Sequence, residues 1–189
     1  MLMKGGFNMK KFISLLALFF IFLGSLPVSA ATIYSAKPYK PSTKYVYSIY
    51  DAYAYDKHVT IKCKKFDSDY LHCSSKDGFY SYRVTKDVFA LNAGGDSPVA
   101  PPYIFPLTKG KTYHKTGYSG VNSFEYSYKV IETNTKRKVG KKTYSNVIKI
   151  LNYYDGGYTF IAKNYGIILI TTNEQGYQVP IYKLKNYHK

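Results

Sequence analysis

From Tyr45 onward the chain alternates apolar and polar residues with a period of two. Within 124–130, the residues Phe124, Tyr126, Tyr128 and Val130 share one side, and Glu125, Ser127 and Lys129 take the other. The same alternation recurs at Tyr45, Tyr47 and Ile49, at Val59, Ile61 and Cys63, and at Tyr80, Tyr82 and Val84. Near the end, Tyr182 and Leu184 alternate with Lys183 and Lys185. This is the period of a strand with one buried face. Residues 85–91 read as a short helical turn, and no long amphipathic helix is expected after residue 30.

Turn-forming residues punctuate these runs. Asp67-Ser68-Asp69 separates two of them, Asp77-Gly78 is a two-residue hairpin signal, and residues 173–176 end in Gly176. Gly156-Gly157 precedes a strand over 158–163. Residues 94–102, rich in Gly and Pro, read as a crossing loop inside one domain. The cysteines supply a geometric constraint. If Asp67-Ser68-Asp69 is a three-residue loop, Phe66 faces Tyr70, and the same register sets Cys63 directly opposite Cys73. An antiparallel non-hydrogen-bonded pair brings Cα atoms within bridging distance, so a Cys63–Cys73 disulfide is expected.

The first thirty residues follow another pattern. Lys4, Lys10 and Lys11 precede an uncharged apolar run from Phe12 to Leu23, broken by Gly24, Ser25 and Pro27 before the small residues of Val28-Ser29-Ala30. Twelve apolar residues are too few to span a bilayer, which takes about 20. Residues 1–30 therefore read as a cleavable signal peptide, and 31–189 as a single antiparallel β domain with no further membrane span. Export, to the periplasm or the medium, implies an oxidising compartment and reinforces the disulfide.

Composition sharpens this picture. All 23 tyrosines follow residue 30, and there is no tryptophan. Tyrosine suits a pleated surface with its ring inward and its hydroxyl at the rim. The net charge of +16 drops to +13 once the three signal lysines are removed. Such a charge attracts polyanions. The fold class expected is all-β, mainly antiparallel, as a curved sheet or half-barrel.

A family resemblance points the same way. It rests on Phe105-Pro106-Leu107 with Gly110 and Tyr113, on Lys142–Ile150, on Thr159–Ile170, and on Ile181–Lys185. Over about 105–185 this resembles a class of exported bacterial β-domains, often lipoproteins and of uncharacterised role. That resemblance implies a strongly curved antiparallel sheet, broadly like a half-barrel. Lys141-Lys142-Thr143-Tyr144 and Asn164-Tyr165 depart from the class pattern, and the anchoring cysteine is missing.

Chemistry is sparse. His58, His72, His114 and His188 lack metal-ligand spacing, and Asp67-x-Asp69 reads as a turn rather than a calcium loop. No nucleophile elbow, zinc-protease or phosphate-loop motif occurs. No cofactor, metal or catalysis is expected. The richest feature is Lys136, Arg137, Lys138, Lys141 and Lys142, five cations in seven positions, expected on an exposed loop with Gly140 near its tip. Such a loop favours phosphate or sulfate. The functional reading is an exported, non-catalytic binding or accessory protein. Its expected partners are anionic polysaccharide, lipid headgroups or another envelope polymer, and not sequence-specific nucleic acid. The alternative is a small-molecule or lipid-binding half-barrel, and the third an exported enzyme with a noncontiguous site.

Overall fold

The computed structural model describes residues 30–53, 57–75, 78–93, 97–119 and 122–189. The expected signal-peptide segment up to residue 29 lies outside them, as do Asp77 of the expected hairpin turn and Gly94, Gly95 and Asp96 of the expected crossing loop. Among the described residues no helix is long and apolar enough to cross a membrane.

Strand runs dominate, as the period of two requires. They are β1 (Thr32–Ile33), β2 (Val46–Asp51), β3 (His58–Lys65), β4 (Tyr70–Ser75), β5 (Gly78–Val84), β6 (Val88–Ala93) and β7 (Ser97–Ile104). There follow β8 (Leu107–Thr108), β9 (Thr112–Ser119), β10 (Asn122–Val139), β11 (Lys142–Asn152), β12 (Tyr158–Ala162), β13 (Gly166–Glu174) and β14 (Tyr177–His188). A 3-10 turn spans Lys37–Tyr39.

Twelve of these strands form one antiparallel sheet in the order β7-β6-β5-β4-β3-β2-β14-β13-β12-β11-β10-β9. Two meanders, β2 to β7 and β9 to β14, are thus joined where β2 pairs with β14. The sheet curls further than a half-barrel and is nearly closed. End strand β7 is tied across the remaining seam by side chains of β10, and no backbone ladder joins β7 to β9 among the described residues. Tyr126 Oη donates to the Pro102 carbonyl at 2.9 Å, and the Ile104 amide donates to Tyr128 Oη at 2.9 Å. The small β1–β8 pair lies outside this sheet.

Three local expectations need correction. Residues 97–102 are not loop but most of strand β7, whose only ladder partner among the described residues is β6. Pro98, Pro101 and Pro102 are tolerated there because an edge strand needs no second row of amide donors. The 85–91 stretch is not helical. Thr85 Oγ1 accepts the Asp87 and Val88 amides, and β6 starts at Val88. The basic segment over 136–142 is the tip of a β-hairpin rather than a long loop.

The β3–β4 hairpin has the expected register. Phe66 donates its amide to the Tyr70 carbonyl at 3.1 Å, and Cys63 pairs with Cys73. Their sulfurs are bonded, with Cα atoms 3.9 Å apart. Asp67 Oδ1 accepts the amides of Asp69 and Tyr70 at 2.7 and 2.8 Å, which closes the turn. Those two amides hold its carboxyl below the usual carboxylate range. Reducing the bridge is expected to cost about 2–3 kcal/mol, because it closes a short loop. The denaturation midpoint with and without reductant measures this, and an unchanged midpoint would show that the bridge adds nothing.

The core lies inside the curled sheet. Tyr47, Ile49, Ile61, Cys63, Leu71, Tyr80, Tyr82, Tyr128, Val130, Tyr182 and Leu184 are all buried, so each predicted strand face is an inner face. The space bounded by Pro41, Tyr47, Ile61, Tyr82, Tyr165 and Tyr182 leaves no room for a water molecule.

Candidate functional site: a basic and aromatic sheet face

The five predicted cations do not share one loop. Only Gly140 and Lys141 form the turn, while Lys136, Arg137 and Lys138 belong to β10 and Lys142 to β11. The reason is the length of β10, 18 residues, which carries the ladder out to a Val139–Lys142 pair. Strand alternation then divides the cations. Arg137 pairs with buried Tyr144 and lies 4.4 Å over the Phe160 ring. Lys142 Nζ sits 3.4 Å over the Tyr187 ring and donates to the Tyr187 carbonyl at 3.2 Å. Both cover aromatic rings, Arg137 on β12 and Lys142 on β14, and Lys142 pins the hairpin tip against β14. Lys136, Arg137, Lys138 and Lys141 are all exposed, and Lys142 is half-buried.

A larger basic surface lies on the outer face of β14-β2-β3-β4-β5. Burial alternates along β3, so that Val59, Ile61 and Cys63 point inward and His58, Thr60, Lys62 and Lys64 point outward. Pairing sets Lys64 beside His72, Lys62 beside Ser74, and Tyr70 beside Arg83. Ser74 in turn pairs with Phe79. The face continues onto β14 through Lys183, which pairs with Tyr50, and through Lys185, whose Nζ lies 3.1 Å from His58 Nδ1. Strands β3, β4, β5 and β14 contain no aspartate or glutamate, and the one acid of β2, Asp51, is buried inside. The excess positive charge of the chain is therefore uncompensated across five adjacent strands.

Aromatic rings interleave with these cations. Phe66 is 70% exposed and Phe79 is 45% exposed. His72 stands between them, stacked on Phe66 at 4.4 Å between centroids and tilted 34° to Phe79 at 6.5 Å. Arg83 approaches the Tyr70 ring at 5.9 Å.

Most interior polar groups have structural partners, Thr133 Oγ1 and Tyr144 Oη being exceptions among the described residues. Asp51 accepts from Tyr80 Oη at 2.8 Å and from the Tyr53 amide at 3.0 Å. Burial, then the bond to Asp51 and its charge, push the Tyr80 phenol up. Burial likewise raises Tyr82 to about 12, and it raises Tyr182 further. At the seam, Tyr103 Oη lies 3.0 Å from Asn152 Oδ1 and 2.7 Å from Thr159 Oγ1, and Asn152 Nδ2 donates to Thr159 at 3.1 Å. Each hydroxyl has one proton. Tyr103 Oη is placed to donate to either oxygen, and Thr159 Oγ1 accepts from both Tyr103 and Asn152.

Two shallow grooves flank Tyr126. One, of about 290 Å³, runs between Val99–Pro101 and Phe124–Tyr126 beside Tyr154. The other, of about 300 Å³, lies over His114–Thr116, where His114 Nδ1 is 2.7 Å from Ser127 Oγ. Among the described residues no three His, Cys, Asp or Glu side chains gather as a metal site would require.

No family model, curated protein or solved structure matches this chain.

The sheet face escaped the sequence reading because its cations are dispersed along the chain. Lys62, Lys64, Arg83, Lys183 and Lys185 come together only through strand pairing. The legible signal was the lack of acids over 58–65, 70–75, 78–84 and 177–188.

Proposed function

We propose that the protein is an exported, non-catalytic binding protein that holds an anionic polymer against the outer face of β14-β2-β3-β4-β5. The observation that carries this reading is the acid-free face itself, with Lys62, Lys64, Arg83, Lys183 and Lys185 projecting from it. A field of one sign over a broad, continuous surface favours a long, repetitively charged partner over a small ligand. The disulfide suits the oxidising surroundings of export. The packed space between Pro41, Tyr47, Ile61, Tyr82, Tyr165 and Tyr182 supports an exterior mode of binding over capture of a lipid there. The exposed Lys136, Lys138 and Lys141 add positive charge at the hairpin tip, which Lys142 ties to β14.

Heparin chromatography tests the proposal. Binding by exposed charges weakens steeply with salt, as the screening length falls from about 10 Å at 0.1 M to about 3 Å at 1 M. The triple change Lys62→Ser, Lys64→Ser, Arg83→Ser is expected to lower the eluting salt more than Lys136→Ser, Lys138→Ser, Lys141→Ser, although both remove three charges. Equal shifts would mean that retention reads net charge alone and that the sheet face has no special role.

A further inference from the structure

We infer that the anionic polymer held on this face is a single-stranded nucleic acid, bound without sequence preference, its bases stacked on Phe66, His72 and Phe79 and its phosphates met by Lys62, Lys64 and Arg83. This rests on the polyanion reading above and adds a second recognition element to it.

Charge alone does not account for the rings. Phe66 and Phe79 protrude from the sheet instead of entering the core, and with His72 they form a connected diagonal row across the outer side of β3, β4 and β5. Two large apolar rings left in water on a soluble surface are compensated when a flat partner covers them. The cations flank this row. Lys64 pairs with His72, Lys62 lies one pair further along beside Ser74, and Arg83 is beside Tyr70. A polymer with a flat, stackable group and one negative charge per repeat therefore meets rings and cations in alternation. Single-stranded nucleic acid has this repeat, and every base has a face that can stack.

The polar complement argues against a charged glycan. Sugar hydroxyls are read by carboxylates and carboxamides, which accept and donate in fixed directions. Strands β3, β4 and β5 carry no Asp, Glu, Asn or Gln. In the adjoining turn Asp67 is engaged by two backbone amides. The outward polar groups of these three strands are Lys, Arg, His, Ser, Thr and Tyr, which suit phosphate and leave base edges unread. Duplex DNA fits poorly, because its bases are stacked inside and do not reach the rings.

Fluorescence anisotropy with a labelled oligothymidylate of about 12 nucleotides tests this, beside an abasic oligomer of equal phosphate number and heparin. The oligothymidylate is expected to bind about tenfold or more tightly than the abasic chain. The double variant Phe66→Ala, Phe79→Ala should erase that difference while leaving heparin elution and the melting temperature unchanged. Both rings are exposed, so the fold does not depend on them. Equal affinity for the two oligomers, or a preference that survives the double variant, overturns the stacking inference and leaves the polyanion reading intact. Retention on heparin with no oligonucleotide binding does the same and points to a glycan. No binding to any of the three overturns both.

Discussion

Between about pH 10 and 12 the protein is expected to unfold in one cooperative step. Burial raises the phenols of Tyr82, Tyr126 and Tyr144 from 10.0 to about 12, and Tyr47, Tyr80, Tyr103, Tyr128 and Tyr182 are raised as well. The sign follows from which state keeps the proton. Below pH 10 both states hold neutral phenols and the stability is complete. Above it the unfolded chain ionises while the buried phenols cannot, so stability falls until the folded values are reached. A phenol held at about 12 is linked to roughly 2–3 kcal/mol. The wholly buried Tyr82 carries this in full and the less deeply set Tyr126 and Tyr144 a smaller share, together a large part of the roughly 5–15 kcal/mol that holds a typical domain together. Tyrosinate absorbance and far-ultraviolet circular dichroism should therefore change together. A gradual tyrosinate titration near pH 10 with the dichroism intact would show that the tyrosines are not buried as described.

Replacing Tyr103 by Ala is expected to cost about 3–5 kcal/mol, among the largest effects of any single change. The ring is wholly buried and meets Tyr128 edge-on at 5.1 Å. Its hydroxyl also closes the ring of bonds with Asn152 and Thr159. Tyr103→Phe keeps the packing but leaves Asn152 Oδ1 without its donor, a loss of about 1–3 kcal/mol. Chemical denaturation of both variants separates packing from hydrogen bonding. If Phe is as costly as Ala, the polar ring and not the packing carries the site. If neither variant changes the midpoint, the seam contributes nothing to stability.

The strands were legible because burial on one side imposes a period of two, and Tyr45–Ile49, Val59–Cys63 and Tyr80–Val84 display it without interruption. The β3–β4 register was legible for a different reason. A short loop with a side-chain clasp at Asp67 leaves one pairing, and that pairing sets the two cysteines opposite each other. Strand β7 was hidden by its prolines, which argue against a central strand and say nothing against an edge. The hairpin cations misled because charge density reads as loop. Arg137 and Lys142 show that a long stem above an aromatic ring is equally at home in a strand. The outer face was illegible as a site, since lysines distant in the chain become neighbours only after pairing. What could be read locally was its missing acids.

The pairing of β2 with β14 has a consequence for how the molecule comes into being. Ten of the eleven junctions in the large sheet join strands that lie close together in the sequence, and only this one spans nearly the whole domain. The first meander can zip up as it emerges, yet it gains its second flank only when the last of the twelve strands arrives. Until then the inner edges of both meanders are open, and the slow step is a search across the full length of the chain. A chain built this way stays unlatched during synthesis and any threading through a narrow pore, and it latches at the end.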